Sequence, residues 1–216
     1  RRVNMVIGVM GASGEGKTTS LRNLDPKTTF IIDSDKKGLT WKGWKDKYSS
    51  DNKNYVKTDL AQTALAYLQR VDTDESFKHI KTFIVDTLNG IMVADEMRRI
   101  KEKTYDKWQD LAACIYELVD YALKVRDDLN VIFICHTQTE RDDSGYHYTR
   151  IKTSGKKLDK IVLESKFNTV LLAKCVDGEY VFETQSNFSS AKSPCGSLEP
   201  IEPNDMEKKK KKLEGY

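Results

Sequence analysis

An α/β fold, with a mainly parallel sheet carrying helices on both faces and an antiparallel hairpin at one edge, is what this sequence predicts. Three observations point there. Short apolar runs alternate with segments of helical period; a glycine-rich loop joins the first run to the first helical segment; and Asp177-Gly178 stands as a turn signal between two late apolar runs. A length of 216 residues suits one such domain and is short for two. It divides into a core over residues 1–200 and a basic C-terminal tail or short helix over 201–216.

The first strand is the run Met5 to Met10, followed by the glycine loop and a helix from about Lys17 to Leu24. Thr28 to Asp33 forms the second strand. Residues 35–55 are polar and read as loop, up to Thr58-Asp59, which caps a helix with Leu60, Ala64, Leu65, Leu68 and Val71 on one face. His79 to Asp86 is the third strand. A helix through Ile100 comes next, then a longer one striped by Leu111, Ile115, Leu118, Ala122 and Val125. Val131 to Cys135 is the fourth strand, Thr137 to Lys157 a polar and basic segment, and Leu158 to Leu163 helical. Phe167 to Val176 is the fifth strand, and Tyr180 to Thr184 returns antiparallel across the Asp-Gly turn. From Gln185 the pattern fades into loop, with a last helix from Pro203. Such a sheet places its ligands at the carboxyl ends of the strands.

Charged residues make up 32% of the chain, and no apolar run approaches the length of a membrane span. The formal charge of +3 is concentrated. Five lysines and two glutamates lie in residues 207–216, so the rest of the chain is balanced at 31 basic and 31 acidic residues. Cys114, Cys135, Cys175 and Cys195 form no C-x-x-C pair, and the first three sit in apolar stretches that read as core. This is the pattern of a reduced, cytoplasmic protein without structural zinc. The chain opens on Arg1 rather than Met, which leaves open what precedes it.

Gly11-Ala12-Ser13-Gly14-Glu15-Gly16-Lys17-Thr18 matches G-x-x-x-x-G-K-[ST] at every fixed position and stands between a strand and a helix, the context of a P-loop NTPase. Its glycines let backbone N–H groups converge on phosphate oxygens. Lys17 reaches the β and γ phosphates, Thr18 offers its hydroxyl to magnesium, and Thr19 completes the loop. Asp86 ends an apolar strand one crossover later, as a metal-holding aspartate does; the plainer alternative is a cap for the next helix. Either Asp33 or Asp35 could orient a water at the γ phosphate, with Asp35 favoured because it lies free of the strand and the second strand is read as lying beside the loop. His136, ahead of Gln138, emerges where a polar side chain could sense the γ phosphate. The expected cofactors are ATP and Mg2+. No [NT]-K-x-D segment for guanine occurs, Ala12 replaces the lysine of partition ATPases, and no L-S-G-G-Q signature of transporter ATPases is present.

The order P-loop, F-I-I-D-S-D, F-I-V-D-T and V-I-F-I-C-H-T-Q resembles the RecA-like ATPase core, and most closely the small phage and prophage ATP-binding proteins grouped with single-strand DNA annealing recombinases. The similarity runs from roughly Met5 to Asp205. It implies ATP held between subunits of a homo-oligomer, ring or filament, with single-stranded DNA along the loops after the third and fourth strands. It also implies Asp35 as the acid that positions the attacking water, where better-known members have Glu, and His136 as the sensor, where they have Gln. Residues 141–157 become a DNA-facing loop, with Arg150, Lys152, Lys156 and Lys157 on phosphates and Tyr146 and Tyr148 stacking on bases. Read without the resemblance, the same segment is a solvated loop, and lysines 208–212 are a solvated helix end. A small-molecule kinase, or a nucleotide-switched adaptor for a helicase or single-strand binding protein, are the other readings.

Overall fold

Residues of one strand alternate between two apolar layers, and this sets the architecture. In β1 (Val6–Gly11), Val6 and Met10 enter one core and Ile7 and Val9 the other. The structure, a computed structural model, describes residues 4–155, 160 and 162–216. The remaining strands are β2 (Thr29–Asp33), β3 (Tyr55–Lys57), β4 (Thr82–Asp86), β5 (Asn130–Arg141), β6 (His147–Ile151), β7 (Thr169–Val176), β8 (Glu179–Glu183) and β9 (Ile201–Pro203). Across the sheet the order is β3-β2-β4-β5-β1-β7-β8-β9, parallel from β3 to β7 and antiparallel at β7/β8 and β8/β9. The predicted mainly parallel sheet and edge hairpin are both there.

The two faces are covered unequally. One carries α2 (Ala61–Thr73), α3 (Leu88–Arg98) and α4 (Tyr105–Ala122), whose Ala64, Leu68, Leu88, Ile91, Ile115 and Leu118 meet Phe30, Phe83 and Phe133 of the sheet. The other is covered by Leu21, Leu39, Tyr48 and a C-terminal helix, α5 (Met206–Glu214), through Met206 and Leu213. Between β2 and β3 lies a single short helix, α1 (Trp44–Lys47). Among the described residues no helix is long and apolar enough to cross a membrane.

Several expectations change. The helix after the glycine loop is a single 3-10 turn, Thr18–Leu21, because Arg22 and Asn23 turn to the C-terminal segment and Pro26 follows. Leu60 precedes α2 as its N-cap and is 45% exposed instead of joining the apolar face. The second strand is not beside the P-loop strand, since β4 and β5 lie between them. β5 runs on past Cys135 to Arg141 and returns as β6, so most of residues 137–151 form a hairpin where a loop was expected. Of the predicted helix at 158–163, residues 158, 159 and 161 fall outside the described residues, and Leu163 opens a 3-10 turn, Leu163–Lys166. All four cysteines are free, yet Cys135 alone of the four is buried; Cys175 is exposed, at the end of β7 that outruns the core.

Residues 201–216 are built into the molecule. β9 extends the sheet, Asp205 caps α5 by accepting from the Lys208 amide, and Lys209 is 1% exposed, ion-paired with the equally buried Glu202. Lys212 reaches the other oxygen of Glu202 at 2.6 Å.

Candidate nucleotide site

The P-loop leaves β1 at Gly11, which lies in register with His136 of β5. Gly16 adopts φ +81°, and a Cβ there would stand 2.7 Å from the Tyr180 ring, so no other residue type fits. Glu15 accepts from the Cys175 amide of β7, and Asn204 donates to the Gly16 carbonyl at 3.2 Å. Arg22 donates to the Asn204 carbonyl at 2.8 Å and Asn23 to Asp205 at 2.9 Å. The loop is thereby fastened from β7 on one side and the C-terminal segment on the other.

Lys17 is buried and donates to the Ala12 carbonyl at 2.6 Å; burial pulls its ammonium down from the usual lysine range, against the nearby Asp86 charge. Thr18 donates its hydroxyl to Asp86 Oδ2 at 2.9 Å, across two strand positions of the sheet. Asp86 is therefore not a helix cap. That part falls to Thr87, whose hydroxyl accepts from the Gly90 amide at 2.9 Å, after a cis Asp86–Thr87 peptide. Burial pushes the Asp86 carboxyl up to about 6, the Thr18 hydrogen bond and the Lys37 charge pulling the other way.

Asp86 Oδ1 is buried and has no hydrogen-bond partner. An orphaned carboxylate oxygen beside a threonine hydroxyl is an all-oxygen donor pair, and it fits a hard cation such as Mg2+. Thr18 and Asp86 would hold that ion, which would neutralise phosphate charge. Gly11 to Thr19 would take the nucleotide's phosphates, in a cleft of about 420 Å³ lined by Ser13, Gly14, Lys17, Thr87, His136 and Tyr180 among others. Thr19 pairs with Thr40 at 2.9 Å on the rim of that cleft.

The two candidate acids separate. Asp33 is buried and committed, accepting from the Gly38 amide at 2.8 Å and the Tyr55 hydroxyl at 2.5 Å. Asp35 comes back to the site across the carboxyl edge, accepting from the Thr87 hydroxyl at 3.3 Å and pairing with Lys37 at 3.1 Å. His136 lines the cleft half-buried, and burial with the Lys17 charge lowers its pKa, so the imidazole is neutral near pH 7. Its amide is fixed by Asn89 Oδ1 at 2.7 Å, and the same Asn89 donates to the Lys152 carbonyl at 2.8 Å. Gln138 lies farther along β5 and donates to Glu140 at 2.9 Å.

The hairpin β5–β6 extends from His136. Tyr146 and Tyr148 are exposed on it, and Tyr146 stacks at 5.8 Å on Phe188, a third exposed ring from the segment after β8. Arg150 is largely covered and faces Glu140 at 3.5 Å, while Lys152 is exposed; Lys156 and Lys157 lie outside the described residues. Sequence reading missed Lys37, Thr87, Asn89, Tyr180, Asn204 and Phe188 as parts of these sites. The Lys36-Lys37-Gly38 turn was the signal available for the first, and the I-E-P-N-D run for Asn204.

A family model described as AAA domain matches residues 3–194. No curated protein matches the chain. Among solved structures, the flagellar accessory protein FlaH from Methanocaldococcus jannaschii is similar at 13% identity, over 84% of this chain and 76% of that one, with a TM-score of 0.43. Because the family match spans the P-loop, β4 and β5 together, the chain belongs to the AAA domain family, and its fold is a mainly parallel α/β sheet with the P-loop after β1.

Proposed function

We propose that this protein binds ATP with Mg2+, hydrolyses it, and acts on single-stranded DNA in phage-type recombination, by annealing or strand pairing, as a homo-oligomer. The Thr18–Asp86 hydrogen bond carries the first part: it joins the P-loop to a buried carboxylate with a free oxygen where the metal of a triphosphate belongs. Asp35 orients the water and His136 contacts the γ phosphate from the middle of β5.

Support for the DNA part is the hairpin that continues the same strand. Tyr146, Tyr148 and Phe188 offer three exposed rings, and base stacking on aromatic side chains is tolerant of sequence. Arg141 and Lys152 supply exposed cations, joined in the sequence by Lys156 and Lys157.

The test is the steady-state ATPase rate with magnesium, with and without single-stranded DNA, at low and moderate salt. Stimulation of several-fold that fades with salt is expected. Hydrolysis without any stimulation or DNA binding would leave the ATPase reading and remove the recombination one.

A further inference from the structure

The turn after β2 brings a second cation into the nucleotide cleft. Lys36 and Gly38 both take left-handed backbone, at φ 59° and 85°, and a Cβ on Gly38 would stand 2.6 Å from the Trp44 ring. The Gly38 amide is fixed on the buried Asp33, which the Tyr55 hydroxyl holds in turn. Asp33 thus shapes a tight bend with Lys37 at its apex. The two neighbouring lysines diverge there. Lys36 goes to Asp59 at 2.7 Å, whereas Lys37 lines the cleft with Lys17, Thr18, Thr87 and His136.

In that position its ammonium lies 3.1 Å from Asp35 Oδ2, and its charge lowers proton affinity at Lys17, Asp86 and His136 alike, which places it among all three. The Lys37 side chain is 55% exposed, and an ion pair so exposed is weak and readily exchanged. A terminal phosphate carries more charge than one carboxylate and would displace it.

We propose that Lys37 is a catalytic cation supplied from within the chain: with ATP in the cleft its ammonium leaves Asp35 for the γ phosphate, which frees Asp35 to hold the attacking water. This rests on the ATPase reading above. In the hydrolysis served, the water oxygen bonds to the γ phosphorus as the bond from that phosphorus to the β–γ bridging oxygen breaks. The electron pair leaves with ADP, Asp35 takes the water proton and passes it to the released phosphate, and Lys37 offsets charge on the γ oxygens.

Lys37→Met keeps most of the length of the side chain and removes its charge. In the full chain, kcat, KM and the separate equilibrium affinities for ADP and for the non-hydrolysable analogue AMPPNP would be measured. We expect kcat to fall about 10- to 100-fold, the size of one lost charge-assisted hydrogen bond, with ADP affinity unchanged and the preference for AMPPNP over ADP lost. Lys37→Arg should restore most of kcat. Asp35→Asn is the reverse probe, raising AMPPNP affinity by releasing the ammonium while lowering kcat. Wild-type kcat together with an intact AMPPNP preference in Lys37→Met overturns the proposal. If the wild-type protein hydrolyses no ATP, the enzyme reading falls separately, and the analogue preference still decides: its loss in Lys37→Met upholds the γ-phosphate contact, while its retention, or its absence from wild type, sinks it.

Discussion

Lys17 satisfies its buried ammonium with the Ala12 carbonyl, a bond made inside the loop, so its removal disturbs nothing that the sheet depends on. Lys17→Ala is expected to weaken ATP binding about 100-fold or more while shifting the thermal midpoint little, since it deletes hydrogen bonds to a charged ligand and no core contact. Calorimetric titration beside a melting curve checks both halves, and undiminished ATP affinity would overturn the site. The places of such residues in the fold were legible in the sequence because they follow from local spacing: the P-loop is eight consecutive positions, and Asp86 and His136 follow apolar runs. Lys37, Asn89 and Asn204 were not. Each acts through a contact set by turn geometry or by distant chain, Asn204 reaching Gly16 across 188 positions.

Among the elements, α5 shows how composition can conceal packing. Five consecutive lysines read as solvated, yet Lys209 is 1% exposed because Glu202 of β9 lies under it. Burial pushes the Glu202 carboxyl up, but hydrogen bonds from Lys209, Lys212 and the Glu199 amide prevail and bring it down to about 2, from an ordinary 4.5. A carboxyl whose folded value is depressed stabilises the fold above its unfolded value, and that contribution is lost as pH falls from about 4.5 towards 2. The loss is about 3 kcal/mol, read from denaturation midpoints across that window. Glu202→Gln should destabilise by about 3–5 kcal/mol at neutral pH, because it strands a buried ammonium; a change under about 1 kcal/mol would show that Lys209 simply moves out to water. The β5–β6 hairpin was illegible for a different reason. Past Cys135 the strand leaves the core, so the apolar pattern that reveals strands stops although the backbone ladder continues to Arg141. Replacing Tyr148 or Phe188 by Ala should weaken single-stranded DNA binding by about 1–3 kcal/mol each, measured by fluorescence anisotropy; unchanged affinity in both would remove the hairpin as the DNA surface.

At the scale of the molecule, the sheet order decides which side chains can meet. β5 lies between the P-loop strand and the strand of Asp86, so the strand reaching outward as the hairpin also carries His136 beside Gly11. Alternation of strands and helices predicted the fold class, but not this order, which crossovers set and which misled the placing of β2 next to the P-loop. A single strand joining cleft and hairpin predicts that His136→Ala lowers DNA stimulation of the ATPase more than it lowers the DNA-independent rate. Equal losses in both rates would leave His136 a role in the cleft alone.

The fastening of Gly16 by Asn204 also orders events during synthesis. The P-loop is made well before the partner that ties its backbone, Asn204, which follows Gly16 by 188 positions and is held between β9 and α5. A ribosome-bound chain lacking residues 201–216 would have its parallel strands and its glycine loop tied from β7 alone. The loop thus takes its last fastening only once residues 201–216 have been made, a consequence of high contact order at the site itself.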